Sequence, residues 1–258
     1  MHAHFVLAHP EPQSFNAHLV RSGADALEKG GWTVSVSDLY AMAFDPCERP
    51  EHFAERADPD RFDAQAEQRH ASETGSLPNV VIEELALMDR ADLMVLQYPM
   101  WWHLPPAMLK GWFDRVLAYG EAYTSKKRFE HGRFVGKRAM LSVTVGTSRN
   151  TYEYDGRSGD IDLMLWPVNF SLAYVGYDVL TPFVAYGVEA GLRYSDPAAI
   201  EERLQAIAAD FRTLLPRVSQ RATIPFNRMA EWGADGRLAP GAPVHSAFVR
   251  RRPQLEIE

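Results

Sequence analysis

Three short segments of this sequence gather residue types that can do chemistry together, and each directly follows an apolar run. The first, HPEPQSFN at residues 9–16, offers His9, Ser14 and Asn16 as side-chain donors, with Phe15 between them. It holds no glycine, which removes the glycine-rich route by which backbone closes on a pyrophosphate. An anion can still be held by those side chains together with the N–H groups of a helix's first turn, where the helix dipole is positive. Ser14 also reads as a plain helix cap and His9 as a satisfied loop histidine.

The second segment is YPMWWHLPPAMLKGWFDRV at residues 98–116. So many rings at a strand end are costly to leave in water. Trp101, Trp102 and His103 read as a wall beside a planar heterocycle, with backbone N–H groups reaching its polar edge. A core plug is the other reading, and it is the better one for Trp112 and Phe113. The third segment is SVTVGTSRNTYEYDG at residues 142–156. Gly146 admits close backbone approach, Thr144, Thr147 and Ser148 supply small polar contacts, and Tyr152 can donate its hydroxyl to charge developing on a reduced ring.

The elements that must position these segments are legible as alternation. Five apolar runs (residues 3–8, 33–37, 93–98, 139–145 and 179–186) are separated by helical patterns, as expected of a buried parallel sheet with helices on both faces. In such a sheet ligands sit at the carboxyl ends of the strands. A first helix follows Ser14 and ends at Gly30-Gly31, a second spans Asn79 to Arg90, a third begins at Pro105-Pro106, and the last starts at Ser195-Asp196-Pro197. Residues 43–75 form a charged excursion too long for an ordinary connection, with room for one helical segment and for reach over a ligand or a neighbouring subunit. The division expected is a domain over 1–215 and a Pro-, Gly- and Arg-rich C-terminal extension over 216–258.

Composition narrows the partners. A net charge of −7 argues against a nucleic-acid partner, and Arg250-Arg251-Arg252 reads as a solvated tail. The one cysteine, Cys47, excludes an internal disulfide and carries no catalytic pattern. No metal-ligand spacing stands out. Neither a signal peptide nor a run of about 20 apolar residues is visible, so a cytoplasmic protein without stable membrane insertion is expected.

Read together, the segments resemble the NAD(P)H:quinone oxidoreductase family, the DT-diaphorase-like flavoenzymes. LAHPEPQSFNAHL, SDLYAMAFDP, ADLMVLQYPMWWHLPPAMLKGWFDRVLAYGEAY, SVTVGTS, GDIDLMLWPV and GYDVLTP carry the likeness in order, from about Ala3 to Tyr186. The resemblance implies an α/β flavodoxin-like doubly wound sheet of five parallel strands in the order 2-1-3-4-5. It also implies a homodimer that moves two electrons from NADH or NADPH to a quinone by a ping-pong cycle on a flavin. FAD is preferred to FMN, because the excursion and the C-terminal segment offer surface for an adenine.

By that likeness His9, Ser14, Phe15 and Asn16 hold the flavin's phosphates and ribityl chain. Pro99, Met100, Trp101, Trp102 and His103, with Thr144, Val145, Gly146 and Thr147, surround its ring. Tyr152 faces the ring's O2 edge, with Trp102 and Gly146 sharing the catalytic surface, and Tyr123 with His103 lines the acceptor pocket. Two departures touch those roles. Ser158 stands where the animal enzymes have a histidine, leaving Tyr152 without its partner, and Ser125 replaces the second pocket tyrosine. The alternative is a flavin-binding regulatory subunit of a membrane potassium-efflux system, which the same fold also resembles.

Overall fold

The computed structural model describes residues 1–189 and 196–251. Ser195 and Arg252 therefore lie outside the described residues. Five strands, β1 (His2–Leu7), β2 (Thr33–Asp38), β3 (Leu93–Pro99), β4 (Arg138–Thr144) and β5 (Asp178–Ala185), form one sheet in the order β2-β1-β3-β4-β5. All four pairings are parallel. All seven residues of the central strand β3 are buried, which is why its sequence is an apolar run broken only by Gln97 rather than an alternation.

The two faces separate by strand parity. Phe5, Leu7, Leu93, Val95 and Met140 pack under α1 (Phe15–Lys29) and α6 (Pro197–Leu214). Val6, Met94, Leu96, Tyr98 and Leu141 pack under α3 (Asn79–Arg90), α4 (Ala107–Val116) and α5 (Ile161–Tyr174). Ser14 caps α1 by accepting from the Ala17 N–H at 3.2 Å. Inside that helix, a Cβ on Gly23 would lie 2.6 Å from Leu215 and 2.9 Å from Phe211, so the glycine sets how closely α6 approaches.

The excursion contains a short 3-10 turn at Pro50–His52 and α2 (Ala64–Thr74). It is clamped to α4 rather than laid over the strand ends. Buried Arg115 donates to the Asp45 carbonyl at 2.7 Å and to Glu48 Oε1 at 3.3 Å, and Gln68 donates to Glu48 and to the Asp114 carbonyl. The α4 backbone at Gly111 approaches so closely that a Cβ there would lie 2.1 Å from the Pro46 carbonyl oxygen.

Helix α5 has no counterpart in the sequence reading. Pro167 interrupts it, and apolar residues lie almost all round it, so no periodic stripe marks it. It persists because Leu165, Val168, Leu172 and Ala173 are buried against the sheet. Beyond α6 the chain returns along the outer edge of β5. Thr181 N–H bonds to the Ala222 carbonyl and Ile224 N–H to that of Val179. Arg221 covers the Thr181 and Pro182 carbonyls, while Pro182 has no N–H to leave exposed, so this edge is closed to further strands. The arginines at 250 and 251 are exposed but bonded rather than simply solvated: Arg250 donates to the Ala247 carbonyl and Arg251 to those of Ala239 and Ala242.

Candidate functional site

The strand order reverses between β1 and β3, and there a cavity of about 1270 Å³ opens over the carboxyl ends of the strands. His9, Ser14, Phe15 and Asn16 come to it from the β1–α1 turn, Pro99, Met100 and Trp101 from β3, and Thr144, Gly146 and Thr147 from β4. Parallel pairing brings them together, because it aligns every strand's carboxyl end on one side of the sheet. The loop after β4 is stapled in place: Val145 N–H bonds to the Ala185 carbonyl, Gly187 N–H to Thr147 and Val188 N–H to Val145. Met100 N–H bonds to the Thr144 carbonyl and ties the second loop to the third.

At the α1 end the cavity is a donor surface. His9 Nδ1 accepts from the Glu11 N–H at 3.0 Å, which leaves the ring proton on Nε2. Burial lowers the His9 pKa below its ordinary value, so the ring is a neutral donor at neutral pH. Arg157 and Arg203 line the same cavity. Arg203 is paired with Glu189 and bonded to the Gly187 carbonyl, whereas no carboxylate pairs with Arg157 among the described residues. A Cβ on Gly146 would meet protein only at 3.8 Å, the Val188 carbonyl, so the space this glycine keeps free belongs to the cavity.

The opposite wall is apolar. Trp101 and Leu104 exchange two backbone hydrogen bonds of 3.0 Å, which makes Trp102 and His103 the two central residues of a tight turn. Both have left-handed backbone, with φ of 53° and 63°. For non-glycine residues each such conformation costs about 1–3 kcal/mol, and strain of this kind gathers at ligand sites. Trp102 is 93% exposed, and neither Trp102 nor His103 lines the cavity.

Three further residues stand apart from it. Val145 is buried beneath the loop, in the core. Tyr152 ends a 3-10 turn (Arg149–Tyr152) and lines an adjoining cavity of about 710 Å³, its ring 6.1 Å from that of Tyr186. Arg149 and Tyr186 border both cavities, so Tyr152 stands one side chain from the first. Tyr123 lines a separate apolar cavity of about 500 Å³ between α4 and α5, T-stacked on Tyr174 and accepting from Gln65 at 3.3 Å.

Sequence reasoning missed Arg157, Tyr186, Gly187, Val188, Arg203 and Leu204, all of which line the main cavity. The rule that ligands sit at strand ends pointed to the end of β5 as well, and that was the available signal. Among the described residues, none of the excursion or of the segment after α6 lines the cavity, so these supply no adenine surface of the kind expected. The physical reason is placement: the excursion is clamped to α4, and the C-terminal segment runs along β5 and across α5, where Phe248 stacks on Trp166. Among the described residues no cluster could hold a metal ion, and no helix is long and apolar enough to cross a membrane.

Comparison with known proteins agrees with this geometry. Residues 1–211 match a family model described as a flavodoxin-like fold. NAD(P)H dehydrogenase [quinone] 1 of Cavia porcellus is 40% identical over 185 residues, 71% of this chain and 67% of that protein. A ribosyldihydronicotinamide dehydrogenase-like protein of Penicillium crustosum is 35% identical over 253 residues, covering 93% of this chain and 94% of its own length. A Klebsiella pneumoniae protein provisionally described as a quinone reductase superposes with a TM-score of 0.80 at 32% identity, over 95% of this chain and 93% of that one. With the five-stranded order and the cavity at its switch point, these likenesses establish that the chain belongs to the flavodoxin-like NAD(P)H:quinone oxidoreductase family, a family of oxidoreductases.

Proposed function

We propose that this protein is a flavin-dependent NAD(P)H:quinone reductase with FAD as its flavin, working as a homodimer. The observation that carries the reading is one cavity with two chemically distinct ends: a neutral-histidine and helix N-terminal donor surface for an anionic tail, and a Pro99–Met100–Trp101 wall for a flat ring. The relatives' names favour a reductase over a transporter subunit. A flavin held there would supply two-electron chemistry between a nicotinamide and a quinone, the two sharing one face in turn in a ping-pong cycle.

In this reading the chain's own residues bind, orient and donate. His9, through Nε2–H, and the first-turn N–H groups of α1 hold the phosphates, while Phe15 and Asn16 meet the ribityl chain. Thr144, Gly146 and Thr147 offer small polar contacts to the ring's edge, and Trp102 with His103 presents the strained turn against its face. Tyr152, whose hydroxyl has no hydrogen-bond partner among the described residues, donates toward the O2 edge. With Ser158 in place of a histidine, that hydroxyl carries the task alone. FAD is assigned because the cavity runs on to Arg203 and Leu204 of α6, which gives room beyond the first phosphate. Tyr123 lines a separate cavity between α4 and α5 that shares no lining residue with the main one, so its acceptor role is assigned to the site of a second copy.

The test is direct. Purified protein should be yellow, release FAD on denaturation, and oxidise NADH or NADPH only when a quinone is supplied. A colourless protein that takes up neither FAD nor FMN would overturn the reading.

A further inference from the structure

The seven buried residues of β3 include one amide, Gln97, which is fully buried. Burying an amide costs about 1–3 kcal/mol unless its hydrogen bonds are made, so its partners show what it is kept for. Gln97 has one. Its Nε2 donates to Asn16 Oδ1 at 2.8 Å, and its own Oε1 has no partner. Asn16, 3% exposed, is the second residue of α1, and its Nδ2 donates to Thr144 Oγ1 at 3.1 Å.

These contacts form a polar floor crossing three elements. Gln97 and Ser142 are direct register partners on β3 and β4, on the sheet face that otherwise carries Leu93, Val95 and Met140. Asn16 and Thr144 line the main cavity from above, whereas Gln97 lies behind them and does not reach it. We infer that Gln97 is a positioning residue for flavin binding: by donating to Asn16 Oδ1 it turns the amide so that the floor of the cavity presents an N–H donor rather than a carbonyl.

The direction follows from counting protons. Asn16 Oδ1 is taken by Gln97, so Asn16 uses one N–H on Thr144 and keeps the other. Thr144 Oγ1 accepts from Asn16 Nδ2 at 3.1 Å and donates its own proton back to Asn16 Oδ1 at 3.4 Å, so the donor left over for the cavity is the second Asn16 N–H. That N–H suits the oxygen-rich chain linking a flavin's ring to its phosphate. An aliphatic side chain at 97 would leave Asn16 free to rotate and present its carbonyl instead. That change would repel such oxygens without disturbing the apolar core.

This inference rests on the flavin reading above, and the experiment separates the two. Flavin-free protein is titrated with FAD, followed by flavin fluorescence, for the wild type, Gln97→Met, Asn16→Ala and the double variant, with thermal unfolding of each flavin-free protein alongside. Gln97→Met should weaken FAD binding by about tenfold, the scale of one misdirected hydrogen bond, and leave the flavin-free melting temperature unchanged or higher. In the Asn16→Ala background the same substitution should change affinity by less than about twofold, because the group it orients is gone. Equal affinity of wild type and Gln97→Met, or a full effect of Gln97→Met without Asn16, would overturn the positioning role alone. A wild type that binds no flavin overturns the functional reading and this inference with it.

Discussion

The turn at Trp102-His103 lets stability and function be set against each other. Two left-handed non-glycine residues in a two-residue turn are an expensive choice, since Asn-Gly is the pair this geometry favours. Replacing both residues, Trp102→Asn with His103→Gly, should remove about 1–2 kcal/mol of strain per residue. Glycine's extra freedom in the unfolded chain returns about 0.5–1 kcal/mol. Little burial is lost, because Trp102 is 93% exposed. The net expectation is a flavin-free protein more stable by about 1–3.5 kcal/mol, which for a chain of this size raises the melting temperature by roughly 2–14 °C. FAD affinity should move the other way in the proposed complex, where this turn is placed against the ring's face beyond the Trp101 wall that lines the cavity. Urea unfolding of flavin-free protein measures the first effect and FAD titration the second. A destabilised variant would mean that the pair is held by contacts rather than strained, and unchanged FAD affinity would separate the strain from the site.

Other expectations concern single groups. Tyr152→Phe should slow reduction of bound flavin in rapid mixing by about 10-fold or more while FAD affinity stays within about twofold, as expected for a donor acting on developing charge. His4 is buried, and burial, with a smaller contribution from His2, lowers its pKa to about 4. The unfolded chain binds that proton from about pH 6.5 downward and the folded chain does not until about 4, so this term costs about 2 kcal/mol of stability between pH 7 and pH 5. Glu84, whose pKa burial raises, acts with the opposite sign, losing stability as pH rises through its folded value. Urea unfolding at both pH values should show His4→Gln with the smaller acid loss. Gly111→Ala would drive a Cβ into the Pro46 carbonyl and should destabilise by about 1–3 kcal/mol, read as a lower melting temperature.

What the sequence made visible depended on whether local signals and burial agreed. The central strand was plain because a strand buried on both faces is apolar at nearly every position, as β3 is apart from Gln97. Helix α3 could be bounded at Asn79 and Arg90 because apolar and charged positions alternate along it at helical spacing. Helix α5 was hidden by Pro167 and by its own apolarity, and α2 emerged only as one unplaced segment of the excursion. The cavity was legible as three loops because each follows a strand and parallel pairing does the rest. Its fourth side was not, since Tyr186 and Gly187 carry no motif and Arg203 sits among the charges of an ordinary helix. Gln97 shows why the remainder resists such reading. A single amide in an apolar run looks like an imperfection in a strand until its donor is seen 2.8 Å from Asn16, a residue 81 positions away. Its role lies in the pairing of β3 with β1 and β4, and no spacing along the chain encodes that pairing.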